Sequence, residues 1–129
     1  MLVDIDARIH ALKQQLLNLL GSPVTDIERV INDPSSKYKV PGIYAISLPG
    51  DQDDIVYIGK TNTKTIQGRI KDHVSIKETS DLSGMVKRDP SLPQAVLSYH
   101  VRMLQVPEER DRSNIEYFAI SVMSPRLNK

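Results

Sequence analysis

Across the first twenty residues, Leu2, Ile5, Ile9, Leu12, Leu16 and Leu19 recur at spacings that alternate between three and four, which predicts a helix with one apolar seam. Gly21, Ser22 and Pro23 then stop it. The stretch VTDIERVIND predicts a short helix ending before Pro34, and PSSKYK reads as a linker. Two apolar runs follow, Gly42 to Leu48 and Ile55 to Ile58, separated by the turn-forming PGDQDD. An antiparallel hairpin is their simplest connection. Beyond Lys60 the period changes: Ile66, Ile70 and Val74 recur every four residues, which predicts an amphipathic helix beginning near Thr63 to Thr65. LSGMVKRD adds a turn or two of helix before Pro90 and Pro93. In SYHVRMLQV, Tyr99, Val101 and Met103 alternate with His100, Arg102 and Leu104, the mark of a third strand. Pro107 then opens a helix with Ile115, Phe118, Ala119 and Val122 along one stripe, and Pro125 closes it. The order helix, hairpin, helix, strand, helix predicts a mixed α/β (α+β) domain: a three-stranded antiparallel sheet flanked by helices over residues 41–129, preceded by a helical extension and linker over residues 1–40.

Composition narrows the chemistry. At 129 residues, 40% apolar and 26% charged, the chain suits one globular unit. No apolar run approaches the ~18 residues of a membrane span, and the amino end lacks the basic-then-apolar pattern of a signal peptide. A cytoplasmic protein is the expectation. With no cysteine there is no disulfide framework, thiolate nucleophile or cysteine zinc site, and the three histidines are dispersed. A metal would therefore be held by oxygens. The formal charge of +1 conceals a local asymmetry, since residues 60–88 carry seven basic side chains against three acidic ones. Such an excess serves either a phosphate backbone or a solvated helix face.

The hairpin carries the strongest chemical signal, because antiparallel strands can bring the phenols of Tyr44 and Tyr57 onto one sheet face. Here the sequence resembles the GIY-YIG nuclease family, with both name-giving tripeptides present as Gly42-Ile43-Tyr44 and Tyr57-Ile58-Gly59. The resemblance extends to GRIKDH, which supplies Arg69 and His73, to SNIEYFAI, which supplies Glu116, and to SPRLN, which supplies Asn128. It covers about residues 41–128 and leaves the first forty outside it. What it implies is a magnesium-dependent endonuclease, with manganese as an alternative ion, that hydrolyses DNA phosphodiester bonds. One tyrosine would deprotonate or orient the attacking water, and the other would position that water or the scissile phosphate.

Elementary chemistry gives the same residues compatible tasks. Phosphodiester hydrolysis needs an activated water, stabilisation of charge on the phosphoryl oxygens and help for the leaving oxygen. Arg69 offers a planar fork matched to phosphate, one helical turn from His73. Glu116 is the candidate metal ligand, since magnesium takes one or two carboxylates and completes its shell with waters and substrate oxygens. Asn128 could support the glutamate or a metal-bound water. A phenol with its usual pKa near ~10 needs nearby positive charge to act as a base, and Lys60 and His73 are available. Lys60, Lys64, Arg69 and Lys71 form the expected DNA contact. Each residue also has a plainer reading: strand tyrosines pack, Arg69 and Lys71 are solvated, Glu116 pairs with Arg112, and Asn128 belongs to a loose tail. A non-catalytic module binding nucleic acid or protein on the same fold is the alternative function. The seam over residues 1–20 must be buried on its own domain or against a second copy, and a homodimer could present two sites to opposite strands.

Overall fold

The computed structural model describes residues 4–75 and 81–128, so Leu2 of the amino-terminal seam lies outside the described residues. Helix α1 (Ile5–Leu20) starts at Asp4, whose side chain accepts from Ala7 N, and ends at Gly21. Next come β1 (Thr25–Asp26), α2 (Ile27–Asn32), β2 (Gly42–Leu48), β3 (Asp51–Lys60), α3 (Ile66–Val74) and α4 (Leu82–Lys87). A 3-10 turn at Val96–Ser98, β4 (His100–Gln105) and α5 (Glu109–Met123) complete the order. The strands form one antiparallel sheet in the order β1-β4-β2-β3.

The sheet has four strands rather than the expected three. The additional strand is the residue pair Thr25–Asp26, opposite Val101 and His100, in a stretch read from sequence as the start of a helix. Asp26 explains the difference. It is the N-cap of α2, accepting from Arg29 N at 2.8 Å, and a cap residue has extended backbone angles, here φ −98° and ψ 161°. The extended cap can therefore pair with the sheet before the helix begins. Strand β3 also starts earlier than its apolar run suggests. Leu48 pairs with Asp51, so the turn is Pro49-Gly50 alone, with Gly50 at the φ of 83° that a type II turn demands at its third position. The acidic residues DQDD thus belong to the strand.

Alternation along β2 divides the core into two layers. Tyr44 and Ile46 join Ile27, Val30, Ile66, Ile70, Leu82 and Val86 on the face covered by α2, α3 and α4. Ile43 and Ala45 join Ile58, Ile115, Ala119, Leu16 and Leu19 on the face covered by α5 and α1. Burying such side chains stabilises the fold by about 1.5–3 kcal/mol each. Leu16 and Leu19 are therefore spent on the chain's own core. Of the two destinations open to the seam, its own domain takes Leu16 and Leu19; among the described residues Ile5 and Ile9 stay exposed, 68% and 50%, and the structure lends a dimer through residues 1–20 no support. Among the described residues, no helix is long and apolar enough to cross a membrane.

Candidate active site

Tyr44 and Tyr57 share a sheet face because of register. Tyr44 lies opposite Gly59, while Tyr57 lies opposite Ile46, two residues along from Tyr44 on the same face. Their ring centroids are 6.3 Å apart at an interplanar angle of 29°. The glycine of YIG makes this possible. A Cβ on Gly59 would lie 2.5 Å from the Tyr44 hydroxyl oxygen and 2.6 Å from its Cζ, so the phenol occupies the space that a side chain would fill. The glycine of GIY has a similar cause, since a Cβ on Gly42 would meet the carbonyl oxygen of Leu104 at 2.1 Å.

Helix α3 supplies the next two groups. Thr65 caps it through Gly68 N, and Ile66 and Ile70 hold it against the sheet. This places His73 edge-on to both tyrosine rings, with centroids 5.5 Å from Tyr44 and 5.1 Å from Tyr57. His73 Nε2 lies 2.7 Å from the Tyr44 hydroxyl, and His73 Nδ1 accepts from Leu82 N at 3.0 Å. One turn back, Arg69 donates from Nη1 to Asp81 Oδ1 at 3.1 Å, with Asp72 at 3.6 Å, and its charge acts on the Tyr57 phenol. Asp81, 3% exposed, was not anticipated from sequence. It stands at the N-cap of α4 yet makes no side-chain cap bond, because its carboxylate is turned to Arg69.

Glu116 arrives from the other layer. Its carboxylate is half-buried and lies within electrostatic reach of Lys60, at the end of the edge strand β3. The pairing with Arg112 that helix spacing allows does not form. Arg112 is buried and directs its guanidinium to the carbonyls of Thr61, Asn62, Val106 and Pro107, at 2.8–3.1 Å. It thus fastens the loop after YIG to the start of α5, one turn from Glu116. Asn128 also acts differently from its expected support of the glutamate. Its Oδ1 accepts from Ile58 N at 2.7 Å and its Nδ2 donates to Ile58 O at 2.8 Å, while Leu127 N bonds Val56 O. The carboxy-terminal segment is in this way clamped along the outer edge of β3, holding the middle of YIG in place.

The electrostatics follow from burial. Desolvation raises the Tyr44 phenol well above its ordinary value of 10.0, with the other phenol adding to it and Arg69 opposing. Desolvation also raises Tyr57, again against Arg69. Both remain phenols at neutral pH. Burial, then the charge of Arg69, pushes His73 down to about 3, so it is neutral and cannot be the positive charge that sequence reasoning offered the tyrosines. Desolvation works against the charge of Arg69, but the tyrosines once ionised, together with Asp81, outweigh it, and at neutral pH Asp81 is the partner that holds the guanidinium protonated. Burial raises Glu116, with Lys60 opposing.

Two grooves flank these groups. One, of about 270 Å³, is lined by Lys60, Asn62, Thr63, Lys64, Arg69 and Asp72. The other, of about 780 Å³, is lined by Tyr57, Met85, Arg88, Asp89, Arg126, Leu127 and Asn128. Of the expected DNA contacts, Lys60 bonds Asn62, Lys64 is ion-paired with Asp72, and Lys71 is exposed. The structure therefore brings Tyr44, Tyr57, Arg69 and His73 into one cluster, with Glu116 and Lys60 beside it, Asn128 along the outer edge of β3, Lys64 on the rim and Lys71 exposed outside it.

No family model and no curated protein matches the chain. Solved structures do. The GIY-YIG N-terminal endonuclease domain of UvrC from Thermotoga maritima, bound to magnesium, superposes with a TM-score of 0.52 at 20% identity, over 79% of this chain and 93% of that one. A Tyr→Phe mutant of the same domain, bound to its catalytic divalent cation, matches at 19% identity and TM-score 0.52, over 79% and 92% of the two chains. An Asn→Ala mutant of that domain matches with the same identity, coverage and score. With its hairpin tripeptides, its layered helices and this superposition taken together, the chain has the GIY-YIG fold.

Proposed function

We propose that the chain is a metal-dependent endonuclease that hydrolyses phosphodiester bonds in DNA. The observation that carries this reading is the convergence of two phenols, an imidazole and a guanidinium in one cluster beside a half-buried carboxylate. Glu116 fits a hard cation: it is an oxygen donor whose negative charge burial already disfavours, so a bound cation would offset that cost. Among the described residues, no three His, Asp, Glu or Cys gather into a metal cage, so waters and phosphate oxygens would complete the shell. Magnesium, or manganese in its place, would supply charge neutralisation at the phosphate and a more acidic bound water.

The chain's own groups divide the remaining work. Arg69, held by Asp81 with Asp72 nearby, keeps its fork oriented for the phosphoryl oxygens, where charge develops. Tyr44 and Tyr57 stay protonated at neutral pH and orient the water and the scissile phosphate by hydrogen bonds. Asn128 holds β3, which carries Tyr57. Lys60 and Lys64 contact the phosphate backbone from the rim, and the exposed Lys71 extends that contact. The ion pairing of Arg69 with Asp81 and Asp72 favours a second reading, a non-catalytic nucleic-acid module, because it leaves less of the guanidinium's charge for a phosphate.

Supercoiled plasmid separates the two. With magnesium, nicked and linear forms should appear; with EDTA, or with Glu116→Gln, they should not, while DNA binding by the variant persists. Cleavage by Glu116→Gln at the wild-type rate would remove Glu116 from the site, and binding without any cleavage by the wild-type chain would establish the second reading.

A further inference from the structure

Helix α4 begins beside the cluster and uses its first two residues on it. The main-chain N–H of Leu82 is one of the amino-terminal donors that an α-helix leaves without an internal partner, and here it meets His73 Nδ1 at 3.0 Å. A backbone N–H can only donate, so Nδ1 must be the bare nitrogen. A neutral imidazole carries a single proton, which is then on Nε2, 2.7 Å from the Tyr44 hydroxyl oxygen. His73 is completely buried, so no bulk water competes for either nitrogen.

We infer that the Leu82 N–H is a positioning group of the site: it fixes His73 as the Nε2–H tautomer, so that His73 donates to Tyr44 and the Tyr44 proton is turned away from the imidazole. His73 is then not an acceptor for the tyrosine's proton. With one lone pair of the Tyr44 oxygen occupied by His73, its O–H is turned away from the imidazole, towards the rest of the cluster. A doubly protonated imidazole would set an Nδ1–H against the Leu82 N–H, in agreement with a ring that remains neutral down to about pH 3. The tautomer is a matter of geometry alone. Its consequence for cleavage rests on the nuclease reading above.

The 15N NMR spectrum of the imidazoles in the wild-type chain tests the geometric statement, with the His73 signals identified by their loss in His73→Gln. At neutral pH a protonated Nε2 and a bare Nδ1 are expected; a protonated Nδ1 overturns the inference. Leu82→Pro tests the cause. Proline is tolerated at the first helical position, and Asp81 already has the extended backbone that must precede it, φ −77° and ψ 162°. Leu82→Ala also shortens the buried side chain but retains the N–H. Leu82→Pro should give mixed His73 tautomers and plasmid cleavage roughly tenfold below that of Leu82→Ala, as loss of orientation does. Equal tautomers in the two variants would overturn the assignment. If Leu82→Pro fails to fold, the wild-type spectrum decides alone. If the wild-type chain cuts no DNA, the nuclease reading fails while the tautomer is still decided by the spectrum.

Discussion

Arg69 illustrates how a single side chain is fitted to its task. Asp81 and Asp72 both address its guanidinium, so its planar fork is fixed before any substrate arrives. Arg69→Lys preserves the charge and loses the fork, and single-turnover cleavage should fall by at least ~10²-fold with little change in DNA affinity. Unchanged cleavage would reduce Arg69 to an ordinary basic contact. The two phenols should separate by stability. Tyr44→Phe leaves the His73 Nε2–H without its acceptor in a fully buried place, costing about 1–3 kcal/mol in denaturant unfolding. Tyr57→Phe removes a half-buried hydroxyl without stranding a fully buried donor and should cost less. Equal losses would contradict the hydrogen-bond assignment. His73 also sets a pH response. The unfolded chain takes up its proton near 6.5 and the folded one only near 3, so the unfolded state binds more protons between those values. The stability is complete above about 6.5 and declines as pH falls through that window. Urea titrations at several pH values should show this slope, and His73→Gln should flatten it. Tyr44 and Tyr57 were legible because strand alternation places them on one sheet face, and Arg69 and His73 because GRIKDH resembles the family pattern and sets them one helical turn apart. Asp81 and the Leu82 N–H were not, because they reach the cluster only through the packing of a six-residue helix with no periodic signal of its own.

At the level of elements, the hairpin was legible where its residues are apolar and not where they are acidic. Asp51 to Asp54 are exposed and read as turn, yet Asp51 pairs with Leu48 across Pro49-Gly50 and the next pair is Ser47 with Ile55, so the residues between lie in an irregular, bulged stretch of the strand. The two-residue β1 was illegible for a similar reason, as its pairing depends on a helix cap and not on alternation. The glycines of the two tripeptides were recognised as a motif, and the structure supplies their physical cause. Gly59→Ala forces a methyl group against the Tyr44 ring in a packed layer, so it should destabilise by about 1–3 kcal/mol and displace the phenol. A variant as stable as the wild type, with cleavage intact, would show that β3 can shift away from β2 and that the close approach is incidental.

Over the whole molecule, the seam along α1 gave the helix but not its destination, since a helical face says that it must be covered and not by what. The structure divides it. Leu16 and Leu19 complete the layer formed by Ile43, Ala45, Ile58, Ile115 and Ala119, whereas Ile5 and Ile9 face outward. Loss of one buried leucine costs about 2–5 kcal/mol, and a domain of this size is stable by about 5–15 kcal/mol in all. Deleting residues 1–20 should therefore abolish the cooperative melting transition, while deleting residues 1–9 should leave it nearly unchanged. If the chain without residues 1–20 melts cooperatively as a monomer, and the 129-residue chain sediments as a dimer, then the seam is intermolecular and α1 has been assigned to the wrong partner. The distinction bears on the cut itself. Under the proposed endonuclease reading, a monomer with one cluster would break one strand in each encounter, so nicked circles should accumulate before linear plasmid, and deletion of residues 1–9 should leave that order unaltered.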